Sequence, residues 1–166
     1  STVISLMLGM NDTGSHHFLA KGAAEPERVR QTLLQKRDDY RRNMTELTAK
    51  MKALPTVRQI TLLSPTYWDE YSESVPRPGS ERMTGRDAEL KVFAGIVSEL
   101  AASNGFAFVN TQIPLRETHF AEVKKNPAFN LLPDRCHPGI EAYVMVAHAL
   151  LAAQGVTPYR AQIAIG

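Results

Sequence analysis

An aspartate and a histidine three residues apart, Asp134 and His137, form the pair in this sequence best suited to acid–base chemistry. They lie in the segment DRCHP, directly before an apolar segment with helical spacing. On a nonhelical turn the carboxylate can accept the imidazole Nδ1–H, which leaves Nε2 free to take a proton from a hydroxyl. The pair therefore predicts a general base. An aspartate that caps the next helix beside a surface histidine is an equally good interpretation of the two residues alone.

A second polar segment, LGMND, follows the first apolar run and contains Gly9, Asn11 and Asp12. A glycine lets the backbone turn sharply and come close to a ligand, and an asparagine amide can donate toward a developing oxyanion. In isolation, the same residues are more typical of an ordinary Asn-Asp turn. The segment becomes informative only together with the Asp-His pair.

Apolar runs and helical periodicities alternate along the chain and predict its secondary structure. Short apolar runs over residues 1–8, 59–64 and 106–110 indicate buried strands. Helical spacing predicts helices over residues 26–54, 85–104 and 139–154, and the chain from 111 to 138 is expected to be irregular. The side chains of the last helix that are expected to face inward are those of Ile140, Tyr143, Val144, Ala147 and Leu151. The alternation predicts an α/β fold, a three-layer α/β/α sandwich with a parallel sheet, whose functional residues follow the carboxyl ends of strands.

The order and setting of the two polar segments resemble those of the SGNH hydrolases, also known as GDSL-like lipases and acylhydrolases. GMND after a strand is similar to the GxND block of the family, and DRCHPG before the last helix is similar to its DxxH block. The segments SPTYWDE, VNTQIPL and KKNPAFNLLPDRCHPG resemble one branch of the family, so the resemblance covers essentially the whole chain. It implies a serine ester hydrolase without a metal or organic cofactor, in which His137 is the base, Asp134 orients it and Asn11 donates to the oxyanion hole.

The nucleophilic serine of that family, in a Gly-Asp-Ser block after the first strand, has no counterpart in this sequence. The block that carries the second oxyanion donor is also absent, and no serine stands at a suitable strand-to-helix turn. We therefore expect residues 1–166 to be the C-terminal two-thirds of a single SGNH domain, whose N-terminal part or a companion chain supplies the serine. The isolated chain is expected to be inactive toward esters. A noncatalytic ligand- or carbohydrate-binding module with the same fold is the alternative function.

Several residues near the two polar segments are candidates for binding a small-molecule or carbohydrate ester. The predicted substrate-binding residues are Gly9, Asp12, His16, His17, Tyr67 and Trp68. The two aromatic residues belong to a proline-containing loop after the second strand, where covering the core is an equal alternative to lining a pocket. A metal site of His16 and His17 with the nearby acids and His137 is less favoured, because the sequence lacks a spacing typical of metal ligands.

Composition limits the remaining classes of function. A chain of 166 residues with 43% hydrophobic residues can bury one sizeable core, and a net charge of +2 without basic runs argues against nucleic acid as a partner. The sequence has no apolar run of the roughly 20 residues needed to span a bilayer, so we expect a soluble protein and leave secretion open. The single cysteine, Cys136, excludes an internal disulfide, and we expect it to be a small buried residue rather than a nucleophile.

Overall fold

The computed structural model describes residues 1–15, 18, 26–73, 75 and 81–156. These residues form the elements β1 (Thr2–Met7), α1 (Pro26–Lys52), β2 (Val57–Leu63), α2 (Arg86–Asn104), β3 (Ala107–Val109), α3 (Gln112–Val123) and α4 (Ile140–Ala153). The three strands are parallel and lie in the order β1-β2-β3, so the predicted α/β fold with a parallel sheet is confirmed. In the described part of the chain, no helix is long and apolar enough to cross a membrane.

The strand register brings the three carboxyl ends to one edge of the sheet. Met7 at the end of β1 pairs with Leu63 at the end of β2, and Leu63 pairs in turn with Val109 of β3. The segments that follow, residues 8–15, 64–73 and 110–111, therefore leave the sheet side by side. This edge is where the sequence predicts the functional residues.

Helices α1 and α2 pack together over β2 and form the first hydrophobic cluster. The ring of Tyr40 from α1 lies 4.5 Å from that of Phe93 from α2, centroid to centroid. The fully assembled cluster comprises Tyr40, Met44, Ile60, Leu62, Phe93, Ile96, Val97 and Ala101. Helix α2 ends as predicted, because Gly105 adopts a left-handed φ of 69° and donates its N–H to the carbonyls of Ala101 and Ala102.

Helix α3 was not predicted, so the expectation of an irregular chain from 111 to 138 is wrong for residues 112–123. Pro114 lies in the first turn of this helix, where the missing N–H would have had no partner within the helix. The side chain of Asn110 accepts the N–H of Ile113 at 3.1 Å and so caps the same turn. Helices α3 and α4 contribute to a second buried cluster of Tyr67, Leu115, Leu131, Leu132 and Ala142.

Helix α4 packs with the opposite face from the one predicted. Ala142 is buried in the second cluster, whereas Ile140 is 80% exposed and Val144 is 63% exposed. The prediction is wrong because α4 is apolar on both faces, and periodicity alone could not select the inner one. Strand β1 also differs from its prediction, because in the described part of the chain it pairs with β2 alone and leaves Val3 and Met7 exposed where a buried strand was expected.

Candidate active site

The Asp134 carboxylate and the His137 imidazole form a hydrogen-bonded pair just before α4. Asp134 Oδ2 lies 2.8 Å from His137 Nδ1, while Oδ1 accepts the backbone N–H groups of Cys136 at 3.1 Å and His137 at 2.7 Å. Both carboxylate oxygens are therefore used to hold the turn and the ring. This is the arrangement that keeps a proton on Nδ1 and presents Nε2 as the acceptor.

The two members of this pair differ in exposure, which suits their separate roles. The side chain of Asp134 is 18% exposed and that of His137 is 70% exposed. Burial raises the pKa of Asp134, but the hydrogen bonds from the His137 backbone and ring and from Cys136 outweigh it and hold that pKa below its usual value. The aspartate is thus ionised at neutral pH, and His137 Nε2 makes no hydrogen bond to any residue that the structure describes.

Arg135, between the two members of the pair, joins their turn to the loop after β2. Its φ of 68° is left-handed, which is uncommon for a residue with a side chain. Its buried guanidinium donates Nη1–H to the carbonyls of Asp69 at 2.9 Å and Ser72 at 2.8 Å, and Asp69 N–H returns a bond to Arg135 O at 3.0 Å. These contacts fix the orientation of the turn that carries Asp134 and His137.

Loop 9–14, which follows β1, presents the predicted oxyanion donor. Tyr40 OH donates to the carbonyl of Leu8 at 3.0 Å, and Gly14 N–H donates to Asn11 O at 3.1 Å, so the loop is tied at both ends. Asn11 and Asp12 lie between these ties and are exposed. The Asn11 side chain makes no hydrogen bond to the described residues, and its amide is available to a ligand.

Gly9 is required in this loop because its backbone φ is positive and because its neighbours leave little room for a Cβ. Its φ is +118°, and a Cβ there would lie 3.1 Å from Tyr40 Oη and 3.4 Å from Phe93 Cδ1. Gly9→Ala is expected to lower the free energy of unfolding by about 1–3 kcal/mol, measured by urea denaturation. Gly95→Ala is the matched control, because a Cβ at Gly95 in α2 meets nothing within 4 Å. That change should raise stability by about 0.4–1 kcal/mol, and equal losses in both variants would contradict the role of Gly9.

Arg86 connects loop 9–14 to the loop after β2 and to the Asp-His turn. Its Nη2–H donates to Met10 O at 2.8 Å, and its guanidinium lies 4.2 Å from the ring centroid of Trp68. The positive charge of Arg86 acts to lower the pKa of the Cys136 thiol. The backbone carbonyl of Cys136 accepts a hydrogen bond from Thr66 Oγ1 at 3.4 Å. Arg86 therefore contacts the first predicted polar segment directly and acts on the second through its charge.

Cys136 is half-buried, and burial raises the pKa of its thiol above the ordinary value, with the charge of Arg86 acting in the opposite direction. A raised pKa disfavours the thiolate, which is the reactive form. The thiol is therefore poorly suited to act as a nucleophile.

The other predicted substrate-binding residues are two aromatic residues after β2 and two adjacent histidines. Tyr67 and Trp68 are buried, Tyr67 within the second cluster, and their substrate contact stays a prediction. His16 and His17 lie outside the described residues. Among the residues that are described, no three His, Cys, Asp or Glu side chains come together as a metal site would require.

The serine hydroxyls that the structure describes do not reach His137. Ser64 is buried, and its Oγ accepts Thr111 N–H at 2.9 Å and contacts Thr111 Oγ1 at 3.0 Å. Ser72 Oγ lies 3.3 Å from Nε2 of a different histidine, His119, which is buried and whose Nδ1 has no hydrogen-bond partner in the described chain. Burial lowers the pKa of His119, and its unpaired Nδ1 shows that no described carboxylate orients its ring as Asp134 orients that of His137.

Sequence reasoning missed the two arginines, Arg86 and Arg135, that hold the site together. A signal for Arg86 exists, because a basic residue at the first position of a helix opposes the helix dipole and needs a specific reason. Arg135 carries no comparable signal in the sequence. Its importance comes from its left-handed backbone and from carbonyls more than 60 residues away in the chain.

Comparison with known proteins finds solved structures that share the fold of this chain. No protein-family model matches the sequence, and no curated protein matches it at a significant level. Solved structures do match. BT4096, a gut microbial diltiazem-metabolizing enzyme, has a TM-score of 0.75 and 24% identity over 92% of this chain and 33% of its own. Axe2, an acetylxylan esterase from Geobacillus stearothermophilus, has a TM-score of 0.61 and 24% identity over 96% of this chain and 62% of its own.

A third structure, LAE5, is an α/β hydrolase enzyme from the metagenome of Lake Arreo in Spain. Its TM-score is 0.60 and its identity 23%, over 95% of this chain and 61% of its own. This chain therefore spans less than two-thirds of the length of each of these three proteins. It has the α/β fold that is found in known hydrolases and esterases.

Proposed function

We propose that this chain is the C-terminal two-thirds of the single catalytic domain of a serine ester hydrolase of the SGNH type, with His137 as its general base. The observation that carries the proposal is the hydrogen bond of 2.8 Å between His137 Nδ1 and Asp134 Oδ2, beside an exposed ring whose Nε2 makes no bond to the described residues. A carboxylate that holds the imidazole in this way serves a base that takes a proton from a hydroxyl. Asn11, on loop 9–14, is the proposed oxyanion donor.

The nucleophilic serine in this proposal belongs to an N-terminal part of the same domain. An unpaired strand edge and an uncovered apolar helix face support such a part. The outer edge of β1 is unpaired in the described sheet, and an unpaired strand edge is a template for another strand. The outer face of α4, with Ile140, Tyr143 and Val144, is exposed as well. Gln154 Nε2, just after α4, donates to Ser5 Oγ of β1 at 3.2 Å, so the two surfaces adjoin.

The similar structures suggest the class of substrate. Axe2 is described as an acetylxylan esterase and as an acetyl-xylooligosaccharide esterase, and variants with a serine or an aspartate replaced by alanine are described as catalytic mutants. By analogy, we assign this chain to short-chain or acetyl esters, with a carbohydrate alcohol as the favoured leaving group. The analogy is one of fold.

The proposed reaction has two steps. The serine Oγ attacks the ester carbonyl while Nε2 of His137 takes its proton, and Asp134 stabilises the imidazolium that forms. The amide of Asn11 donates to the carbonyl oxygen as it gains negative charge. The bond to the alcohol breaks as His137 returns the proton to the departing oxygen. Water, deprotonated by His137, then attacks the acyl-serine, releases the acid and restores the serine hydroxyl.

The direct test compares residues 1–166 with the natural protein that contains them. Hydrolysis of p-nitrophenyl acetate is expected from the natural protein and not from residues 1–166 alone. An alkyl fluorophosphonate should label one serine, and peptide mass spectrometry should find that serine outside residues 1–166. A natural protein that contains no such serine and hydrolyses no ester would instead support a noncatalytic binding module. Turnover by residues 1–166 alone that depends on His137 would contradict the need for an external serine.

A further inference from the structure

Arg86 is a buried cation without an acidic partner in the part of the chain that the structure describes. Its side chain belongs to a residue that is only 4% exposed, at the first position of α2. The acidic residues that follow it in the helix pair with other arginines. Asp87 Oδ1 lies 2.6 Å from Arg116 Nη2, and Glu89 Oε2 lies 2.6 Å from Arg37 Nη2.

Without compensating contacts, burial of the Arg86 guanidinium at the start of α2 would be energetically unfavourable. Burial lowers the pKa of Arg86, and the positive end of the helix dipole adds to the cost of a cation at this position. One compensating contact, from Nη1 to Met83 Sδ at 3.2 Å, lies within the chain segment just before α2, and the others point toward the candidate site. The guanidinium donates to Met10 O at 2.8 Å and to Thr13 Oγ1 at 3.3 Å, and it lies over the ring of Trp68.

The two hydrogen-bonded groups of loop 9–14 lie on either side of Asn11. Met10 O belongs to the peptide unit that joins Met10 to Asn11, so a bond to this carbonyl fixes the plane from which the Asn11 side chain projects. Thr13 Oγ1 also donates to Met10 O at 3.0 Å, and this closes a ring of contacts with Arg86. Both ends of the Asn11 turn are thus held by one planar, forked group.

We propose that Arg86 is the positioning residue of loop 9–14 and holds the Asn11 amide in the direction from which it donates to the oxyanion. The inference rests on the proposed function of Asn11. Arg86 does not touch the substrate in this role. Because the oxyanion forms only in the transition state, the loss of positioning lowers kcat and leaves KM nearly unchanged.

The first experiment measures ester hydrolysis by the natural protein carrying Arg86→Met, with Arg116→Met as the matched control. Arg116 is also a largely buried arginine near an aromatic ring, that of Tyr67, but it pairs with Asp87 and makes no contact with loop 9–14. Arg86→Met is expected to lower kcat by about 10- to 100-fold, less than the roughly 10²–10³-fold loss of an oxyanion donor itself. The KM should change by less than about twofold, and Arg116→Met should leave kcat near the starting value.

A double-substitution cycle separates positioning from general damage. In a protein that already carries Asn11→Ala, Arg86→Met should reduce kcat little further, because the donor that it positions is gone. An undiminished effect of Arg86→Met in that background, or an unchanged kcat in the single variant, would overturn the inference. If Arg86→Met fails to fold, Arg86→Lys keeps the charge but loses the fork, and the same non-additivity with Asn11→Ala is expected.

Amide hydrogen exchange provides a measurement that does not need turnover. The Gly14 N–H bonds to Asn11 O, so its exchange rate reports on the order of this turn. Arg86→Met should raise that rate by about tenfold or more, and Arg116→Met should not. Raised exchange in a natural protein that hydrolyses no ester would keep the positioning role and reject the proposed function. Equal exchange in both variants would reject the positioning role.

Discussion

Replacing His137 with alanine in the natural protein is expected to lower kcat for ester hydrolysis by about 10⁴-fold or more. Within the described site, His137 is the histidine whose ring a carboxylate orients, through the 2.8 Å contact between Nδ1 and Asp134 Oδ2. Its Nε2 is therefore placed to accept a proton. Without the imidazole, the proposed serine has no base in the first step and the leaving alcohol has no acid. The measurement is the steady-state rate with p-nitrophenyl acetate.

Two further variants test whether the loss of activity is specific to the pair of Asp134 and His137. Asp134→Asn keeps the shape of the pair but favours the wrong imidazole tautomer, and about a 10⁴-fold loss is expected from it also. Asp38→Asn changes an exposed carboxylate of α1 in the same way as a control, and its kcat should stay near that of the parent. Retention of most activity by His137→Ala, with a melting temperature equal to that of the parent, would mean that His137 is not the base.

Phe93→Ala is expected to cost about 3–5 kcal/mol of the free energy of unfolding. Phe93 is completely buried in the first cluster, and its ring lies 4.5 Å from that of Tyr40. The substitution removes a large apolar surface and leaves a cavity beneath Gly9, where a Cβ would already lie 3.4 Å from Phe93 Cδ1. Because total stability is typically about 5–15 kcal/mol, this loss is a large fraction of it.

Urea denaturation at fixed temperature measures the effect, with Val92→Ala as the control. Val92 precedes Phe93 in α2 but is 37% exposed, so its truncation should change stability by less than about 1 kcal/mol. Similar losses in the two variants would show that the cluster around Phe93 and Tyr40 does not dominate the stability of this region. A loss confined to Phe93→Ala would show that this cluster, which also holds Leu8 O through Tyr40 OH, dominates the stability of this region.

The fold class and the elements of the site could be predicted from sequence because both depend on local signals. Apolar runs and helical spacing indicated three strands and three of the helices, and Gly105 ended α2 as its left-handed preference requires. The spacing of Asp134 and His137 made their hydrogen bond one of two equally good interpretations, and the structure contains that bond because residues three apart on a turn can form it within the turn itself. Helix α3 was missed because the whole chain from 111 to 138 was expected to be irregular, although Pro114 is compatible with a helix at its position in the first turn.

Only the tertiary structure decided which surfaces are buried and which residues hold the site. The sequence of α4 is apolar on both faces, so its inner face was determined by packing against the second cluster and not by periodicity. The same reason applies to Arg86 and Arg135, whose partners are carbonyls contributed by distant loops. The sequence by itself therefore determined the α/β alternation and the paired Asp134 and His137, since these arise from neighbouring residues. The clamps that orient the pair and Asn11 arise from long-range contacts, which local sequence patterns do not encode.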